Sequence, residues 1–228
     1  MTGFIIINKP KYMTSFDVVK KIRELTNVKK VGHAGTLDPL ATGVLIVCIG
    51  RSATKNLNQF MNLEKTYTTT INLQAFSETD DAEGPLNYTE ITDIPSQAKI
   101  KTTLNRFIGT QLQTPPAYSA VKVDGIKRYT EARRGASDIV LPQRTIQIND
   151  ITINVYNWPE LDITVTCSKG TYIRSLARDI GTALNTGGYV QELQRTAIGT
   201  YRLDQAYDLQ DLTDITPEML CNLYPKDT

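Results

Sequence analysis

One histidine, His33, and three cysteines are all the soft metal ligands this 228-residue chain holds. A structural zinc site draws on four such groups, usually with paired cysteines at close spacing. Cys48, Cys167 and Cys221 are odd in number, far apart and set in apolar sequence, which predicts reduced, buried thiols rather than a disulfide framework. A zinc site is not expected. Long apolar runs are missing too. No stretch nears the eighteen or so residues of a membrane span, and "MTGFIIINKPKYMTS" has no basic region before its short apolar stretch, so no signal peptide is expected and the location expected is cytoplasmic. Three catalytic or nucleotide signatures are also absent. There is no G-x-S-x-G elbow and no phosphate loop of the G-x-x-x-x-G-K-[ST] type, and "GHAGTL" lacks the last glycine of a dinucleotide fingerprint.

What is present begins with an uneven charge. The net value is only +1. Residues 1–30 nevertheless carry seven cations (Lys9, Lys11, Lys20, Lys21, Arg23, Lys29, Lys30) against Asp17 and Glu24, while 203–228 carry six acids against Lys226. One end can attract phosphates and the other repel them, unless both are simply solvated faces.

A hydrophobic content of 40% allows a sizeable core, in one large domain or two small ones. "GFIII" and "GVLIVCIG" read as buried strands, and "KTYTTTINLQA" as a strand alternating at Tyr67, Thr69, Ile71 and Leu73. Helical spacing predicts helices from about Ser15 to Leu25 with Thr14 or Ser15 as cap, over "SATKNLNQFM" opened by Ser52, over 97–108, and near 173–184. Asp124-Gly125 is a hairpin pair, and "SETDDAEG" an acidic loop. Further strands are expected at about 144–156, 161–167 and 188–203. No repeat or low-complexity linker interrupts the chain, and the mixture predicts an α+β or mixed α/β fold.

Three stretches can carry chemistry. "GHAGTLDPLATGVL" places the lone carboxylate Asp38 among Gly, Ala, Thr and Leu; it is either a site or an Asp-Pro turn. "CSKGTYIRSLARDIG" places Gly170, Tyr172 and Arg174 where a strand hands over to a helix, with Ile173, Leu176 and Ile180 facing the core. Arg174 there is an active group or an ordinary surface arginine. "PPAYSAVKVDGIKRYTEARRG" interleaves Lys122, Lys127, Arg128, Arg133 and Arg134 with Tyr118 and Tyr129, which suits an RNA backbone with unstacked bases or a plain exposed hairpin.

Together, "GHAGTLDPLATGVL", "KTY" and "SKGTYIRSLARDIG" resemble the signatures of the TruB-type tRNA pseudouridine synthases. "NKP…MTS", "PPAYSAVKVDGIKRYTEARRG" and "LQRTAIGTY" resemble further segments of that family in the same order, over roughly residues 3–203. The resemblance implies the pseudouridine synthase fold, a central, mostly antiparallel mixed sheet flanked by helices. Its catalytic domain would cover 1–203, with a thumb-like insertion at about 119–146. The activity implied is isomerisation of uridine 55 in the tRNA T-arm, after base flipping, without metal or cofactor, and with a possible RNA-folding activity besides. Asp38 matches the catalytic aspartate, which would act as nucleophile or as base. Arg174 matches the arginine that keeps it ionised despite apolar surroundings, and Tyr67 the tyrosine that stacks on the base. Tyr172 and Leu193 match pocket residues, with Arg195 beside them, and His33 an RNA contact. Lys9 and Pro10 match the N-terminal motif along the cleft; Lys122, Lys127 and Arg128 are the phosphate contacts expected in the thumb.

Two features depart from the family. Its glycine after "KP-x" is Tyr12 here, and tyrosine disfavours positive φ. Residues 204–228 form a short acidic segment instead of a small RNA-binding domain, so weaker tRNA binding than in longer relatives is expected. A monomer is expected, since one cleft suffices for tRNA. The competing readings are an RNA-binding module without chemistry, which would need none of Asp38, Tyr67 and Arg174, and a synthase acting on another RNA.

Overall fold

The apolar run at the start of the chain becomes β1 (Gly3–Lys9), and Phe4 to Ile7 are all buried because both faces of this strand are covered. A computed structural model describes residues 1–118 and 142–221, and between them only the backbone of two short strands at 122–123 and 126–127. The chain divides into two compact units, 1–67 with 193–228, and 68–192.

In the first unit, β1 leads to α1 (Ser15–Thr26). Thr14 caps this helix: its hydroxyl accepts from the Asp17 amide at 3.1 Å, and the Asp17 carboxylate accepts from the Thr14 amide at 3.0 Å. Such a reciprocal box satisfies two amides that a bare helix end leaves without partners. The turn before it contains Tyr12 at φ 67°, a left-handed conformation that costs an L-residue about 1 kcal/mol or more. The family's glycine would take it freely; Tyr12 takes it with its ring 76% exposed.

The chain continues through β2 (Val31–His33) and β3 (Thr42–Ile49), which pairs antiparallel with both β1 and β2. Alternation now explains the unbroken apolar runs. Ile5, Ile7, Leu45, Val47 and Ile49 pack with Val18, Val19 and Ile22 of α1, while Phe4, Ile6, Val44, Ile46 and Cys48 pack with Ala53 and Phe60 on the other face. A strand buried on both faces is apolar at every position. Cys48 accordingly lies in the core, where burial pushes its thiol up to about 12.

The helix expected over "SATKNLNQFM" is instead two short ones, α2 (Arg51–Lys55) and α3 (Leu57–Asn62). Ser52 does not cap: its hydroxyl bonds Thr2 Oγ1 at 2.7 Å, α2 starts at Arg51 after Gly50 (φ 86°), and Asn56 donates its amide back to Ala53, closing the first helix. β4 (Lys65–Asn72) then alternates as expected, with Lys65, Tyr67, Thr69 and Ile71 buried, and it runs from the first unit into the second.

The second unit continues with the hairpin β5 (Ala75–Ser77) and β6 (Leu86–Tyr88), helix α4 (Gln97–Asn105) and strand β7 (Gly109–Gln113). Backbone pairs Lys122–Lys127 and Val123–Ile126 join β8 (Lys122–Val123) to β9 (Ile126–Lys127); Asp124-Gly125, the expected hairpin pair, lies outside the described residues. β10 (Arg144–Asn157) and β11 (Glu160–Cys167) pair antiparallel, and β7 lies on the other edge of β10. Helix α5 (Ile173–Leu184) has the predicted bounds, and Ile173, Leu176 and Ile180 are buried as expected. Arg174 is buried too, so it is not an ordinary surface arginine.

The chain returns to the first unit along β12 (Tyr189–Ile198), which pairs parallel with β3. The expected strand to 203 ends early. Gly199 (φ 56°) and Thr200 turn the backbone, and β13 (Tyr201–Arg202) pairs back on β12. β14 (Tyr207–Asp208) adds parallel to β1. Within this unit the sheet order is β14-β1-β3-β12, and in the second it is β4-β11-β10-β7. Both are mixed or antiparallel sheets with helices, the α+β class expected. The acidic segment is part of the packing: Leu209 and Ile215 are buried against the α1 side of the core. Cys167 is buried but Cys221 is exposed, a correction to the expectation of three buried thiols; its backbone bridges to that of Phe4. Among the described residues no helix is long and apolar enough to cross a membrane.

Candidate active site

Asp38 lies on the loop from β2 to β3. The Ala41 amide donates to the Asp38 carbonyl at 3.1 Å, so Asp38-Pro39 does open a turn, and its half-buried carboxylate is flanked by buried Leu37, Leu40 and Ala41. Three neighbours fix this turn. The Ser15 hydroxyl at the start of α1 accepts from the Leu37 amide at 2.8 Å and donates to its carbonyl at 3.1 Å. Lys9, fully buried at the end of β1, donates to the carbonyls of Pro10 (2.9 Å), Met13 (2.6 Å) and Pro39 (3.3 Å). The Tyr12 amide donates to the Pro39 carbonyl at 2.7 Å. Lys9 therefore ties the Lys9–Met13 turn to the aspartate turn, and Pro10 supplies one of its acceptors.

The second wall of the loop is β12. Arg195, 1% exposed, donates from Nε to the Val44 carbonyl (2.7 Å) and from Nη2 to the Gly35 carbonyl (3.1 Å). Its backbone opposes Gly43 across β3, and a side chain at Gly43, whose φ is 101°, would run into the Arg195 carbonyl. The glycine of "PLATGVL" is thus required by a close approach of two backbones. His33 ends β2 half-buried; burial first, and then the Arg195 charge, hold its pKa below the ordinary value, so the imidazole is neutral at pH 7. Tyr67 and Leu193 are each 9% exposed, on β4 and β12. Lys65 of "KTY" secures the end of α3, donating to the carbonyls of Met61 (2.6 Å) and Leu63 (2.5 Å).

In the second unit, Tyr172 precedes α5. Its amide donates to Gln113 Oε1 at 2.8 Å and its carbonyl accepts from Gln113 Nε2 at 3.0 Å, while the Arg144 guanidinium lies 5.1 Å from its ring centroid. One turn apart on α5, Arg174 and Arg178 meet the two consecutive acids of "SETDDAEG". Arg174 Nη1 lies 3.2 Å from Asp81 Oδ2 and donates to the Thr79 carbonyl at 3.0 Å, and its Nη2 donates to the Tyr118 carbonyl at 3.2 Å. Arg178 Nη1 lies 2.7 Å from Asp80 Oδ2, and its Nη2 donates to the Thr114 carbonyl at 3.1 Å. Asp80, Asp81 and Gln113 escaped the sequence reading; the available signal was two adjacent acids matched by two arginines, Arg174 and Arg178, at helical i, i+4 spacing.

Burial outweighs both arginines at Asp80 and raises its carboxyl to about 6. The folded chain then holds a proton that the unfolded chain has released between about pH 4 and 6. This contribution is greatest at low pH and is lost as pH rises through 6. The thermal stability of the parent relative to Asp80→Asn is expected to fall by about 2–3 kcal/mol between pH 4 and 7; a pH-independent difference would contradict it.

The side chains of Lys122, Lys127 and Arg128, and most of the thumb segment, lie outside the described residues.

Residues 23–173 match the TruB family pseudouridylate synthase (N terminal domain), and 174–220 match the tRNA pseudouridylate synthase B C-terminal domain. The "tRNA pseudouridine synthase B" of Corynebacterium aurimucosum is 43% identical over 97% of this chain and 75% of its own length. That of Phocaeicola vulgatus is 44% identical over 92% and 91%. Among solved structures, a Cbf5-Nop10-Gar1 complex aligns with TM-score 0.71 at 29% identity, over 92% of this chain and 53% of the other. An H/ACA RNP bound to a substrate RNA containing 2′-deoxyuridine aligns at 0.68 and 27% identity, over 92% and 52%; the chain spans about half the length of these two. With the family's segments matched from residue 23 to 220, and the aspartate turn and the K-G-T-Y-I-R segment both inside the match, the chain belongs to the TruB family of pseudouridylate synthases.

Proposed function

We propose that this chain converts uridine 55 in the T-arm of tRNA to pseudouridine, acting as a monomer in the cytoplasm without metal or cofactor. The reaction is an isomerisation. The bond from N1 to C1′ breaks, the base rotates within the site, a bond forms from C5 to C1′, the C5 hydrogen leaves as a proton, and N1 gains one. A stacked base cannot rotate, so the nucleotide is flipped out first. The unpairing this requires gives the same surface an RNA-folding activity.

Asp38 initiates the chemistry, as nucleophile or as base at the sugar. Tyr67 stacks on the base, and Leu193 and Tyr172 line its pocket. Neutral His33 packs against the displaced RNA, which suits a stacking contact better than an imidazolium would. Arg174, oriented by Asp81 and two carbonyls, supplies the counter-charge that the family resemblance assigns to it. Lys9, Pro10 and Arg195 act through the loop they hold, and Lys122, Lys127 and Arg128 contact phosphates.

The observation that carries this reading is the Asp38 turn. Asp38 stands between buried Leu37 and Leu40 in the chain, on a backbone clamped by Ser15, Lys9 and Tyr12, as an initiating group that must not move requires. The experiment is tritium release from tRNA labelled at uridine C5, in EDTA, with the modified position mapped afterwards. Release from one uridine, at position 55, is expected. No release, or release elsewhere, overturns the assignment.

A further inference from the structure

Tyr12 is held in a left-handed backbone conformation, φ 67°, and its ring is 76% exposed. Neither burial nor backbone preference accounts for an aromatic residue there, since a glycine would relieve the backbone and lose little packing. Strain that the fold does not need tends to mark a functional surface. One turn on, at the start of α1, Phe16 is 58% exposed. Each ring carries a cation: Lys11 Nζ lies 5.5 Å from the Tyr12 centroid, and the Arg23 guanidinium 5.7 Å from that of Phe16. Lys20 follows Phe16 at i+4 and is exposed. The nearest acid, Asp17, is engaged with the amide and hydroxyl of Thr14. The patch also adjoins the aspartate turn, because the Tyr12 amide bonds the carbonyl of Pro39, the residue after Asp38.

Exposed aromatic faces interleaved with cations suit single-stranded nucleic acid, whose bases stack and whose phosphates pair with ammonium groups. The positive balance of residues 1–30 agrees in sign. We propose that Tyr12 and Phe16, with Lys11 and Lys20, form a platform for an unpaired nucleotide of the RNA substrate, beside the one on which Asp38 acts. This rests on the reading of the chain as an RNA-modifying enzyme.

Tyr12→Asn separates the ring from the backbone, because asparagine tolerates the left-handed region and has no aromatic face. The variant is expected to melt no lower than the parent, yet to bind an isolated T-arm stem-loop about fivefold or more weakly, with KM raised in step. Tyr12→Phe is expected to restore affinity, and Phe16→Ala to weaken it. Lys20→Gln is expected to flatten the salt dependence of binding by a slope of about 0.7–0.9, one phosphate's worth. A Tyr12→Asn protein with parental affinity and KM, in a preparation whose parent releases tritium, overturns the platform and leaves the enzyme reading standing. A parent that neither binds the stem-loop nor releases tritium overturns both.

Discussion

Asp38→Asn is expected to fold as the parent does, to retain the T-arm stem-loop, and to release tritium at least about 10⁴-fold more slowly. The fold expectation comes from what holds the loop. Its hydrogen bonds run from Ser15 to the Leu37 backbone, from Lys9 and the Tyr12 amide to the Pro39 carbonyl, and from the Ala41 amide to the Asp38 carbonyl. The loop's own groups in these bonds are main-chain atoms, and the isosteric amide keeps the shape of the carboxylate and one of its acceptor oxygens. The rate expectation comes from chemistry. A neutral amide can neither attack C1′ nor accept a proton from the sugar, so both routes open to the carboxylate close together. Retained RNA binding with lost turnover is the signature of a catalytic group. Turnover above about 1% of the parent would move the initiating role to another residue.

How legible this was varied with the range of the interactions involved. β1 and β3 read correctly as continuous apolar runs because each strand is buried on both faces, and the bounds of α5 followed from its apolar spacing. The pairing of β8 with β9 agrees with turn chemistry read nearby, Asp124-Gly125 itself lying outside the described residues. What failed depended on distant partners. "SATKNLNQFM" splits at Asn56, whose backbone (φ −96°, ψ 6°) leaves the helix and whose amide donates to the Ala53 carbonyl, and Ser52 lies inside α2 with its hydroxyl engaged by Thr2, far back in the chain. "SETDDAEG" looked like a solvated acidic loop, yet Asp80 and Asp81 are 7% and 2% exposed, since two arginines of α5 reach them from almost a hundred residues away. Nothing in the composition marks the two units either, because β4 and β12 each pass from one to the other without a linker. Asp38 itself stood out only through the family resemblance. In the sequence alone it was equally a turn residue, and its carbonyl does accept the turn's hydrogen bond.

The ion pair between Arg174 and Asp81 is where the largest loss of stability is expected. Their side chains are 7% and 3% exposed, so neither charge has water to fall back on. Removing one member of such a buried pair takes away a charge partner that water cannot replace, which costs about 3–5 kcal/mol, or roughly 6–20 °C in Tm for a chain of this size. Asp81 does more than pair. Its Oδ1 accepts from the Thr79 hydroxyl at 2.6 Å and from the Glu83 amide at 3.1 Å, shaping the loop whose Thr79 carbonyl also receives Arg174. Two variants separate these roles. Asp81→Asn keeps an acceptor for the loop and loses the charge; Asp81→Ala loses both, and is expected to melt lower still. If the pair orients Arg174 for the reaction, both variants also lower kcat, and Asp81→Asn does so while its loop remains intact. Arg174→Lys sharpens the distinction, because it keeps the charge but lacks the planar fork that reaches Asp81, Thr79 and Tyr118 together. A kcat that falls in Arg174→Lys as far as in Asp81→Asn identifies orientation, not charge alone, as what the pair provides. An Asp81→Ala protein that melts within a degree or two of the parent would show that the buried pair is not holding the second unit together.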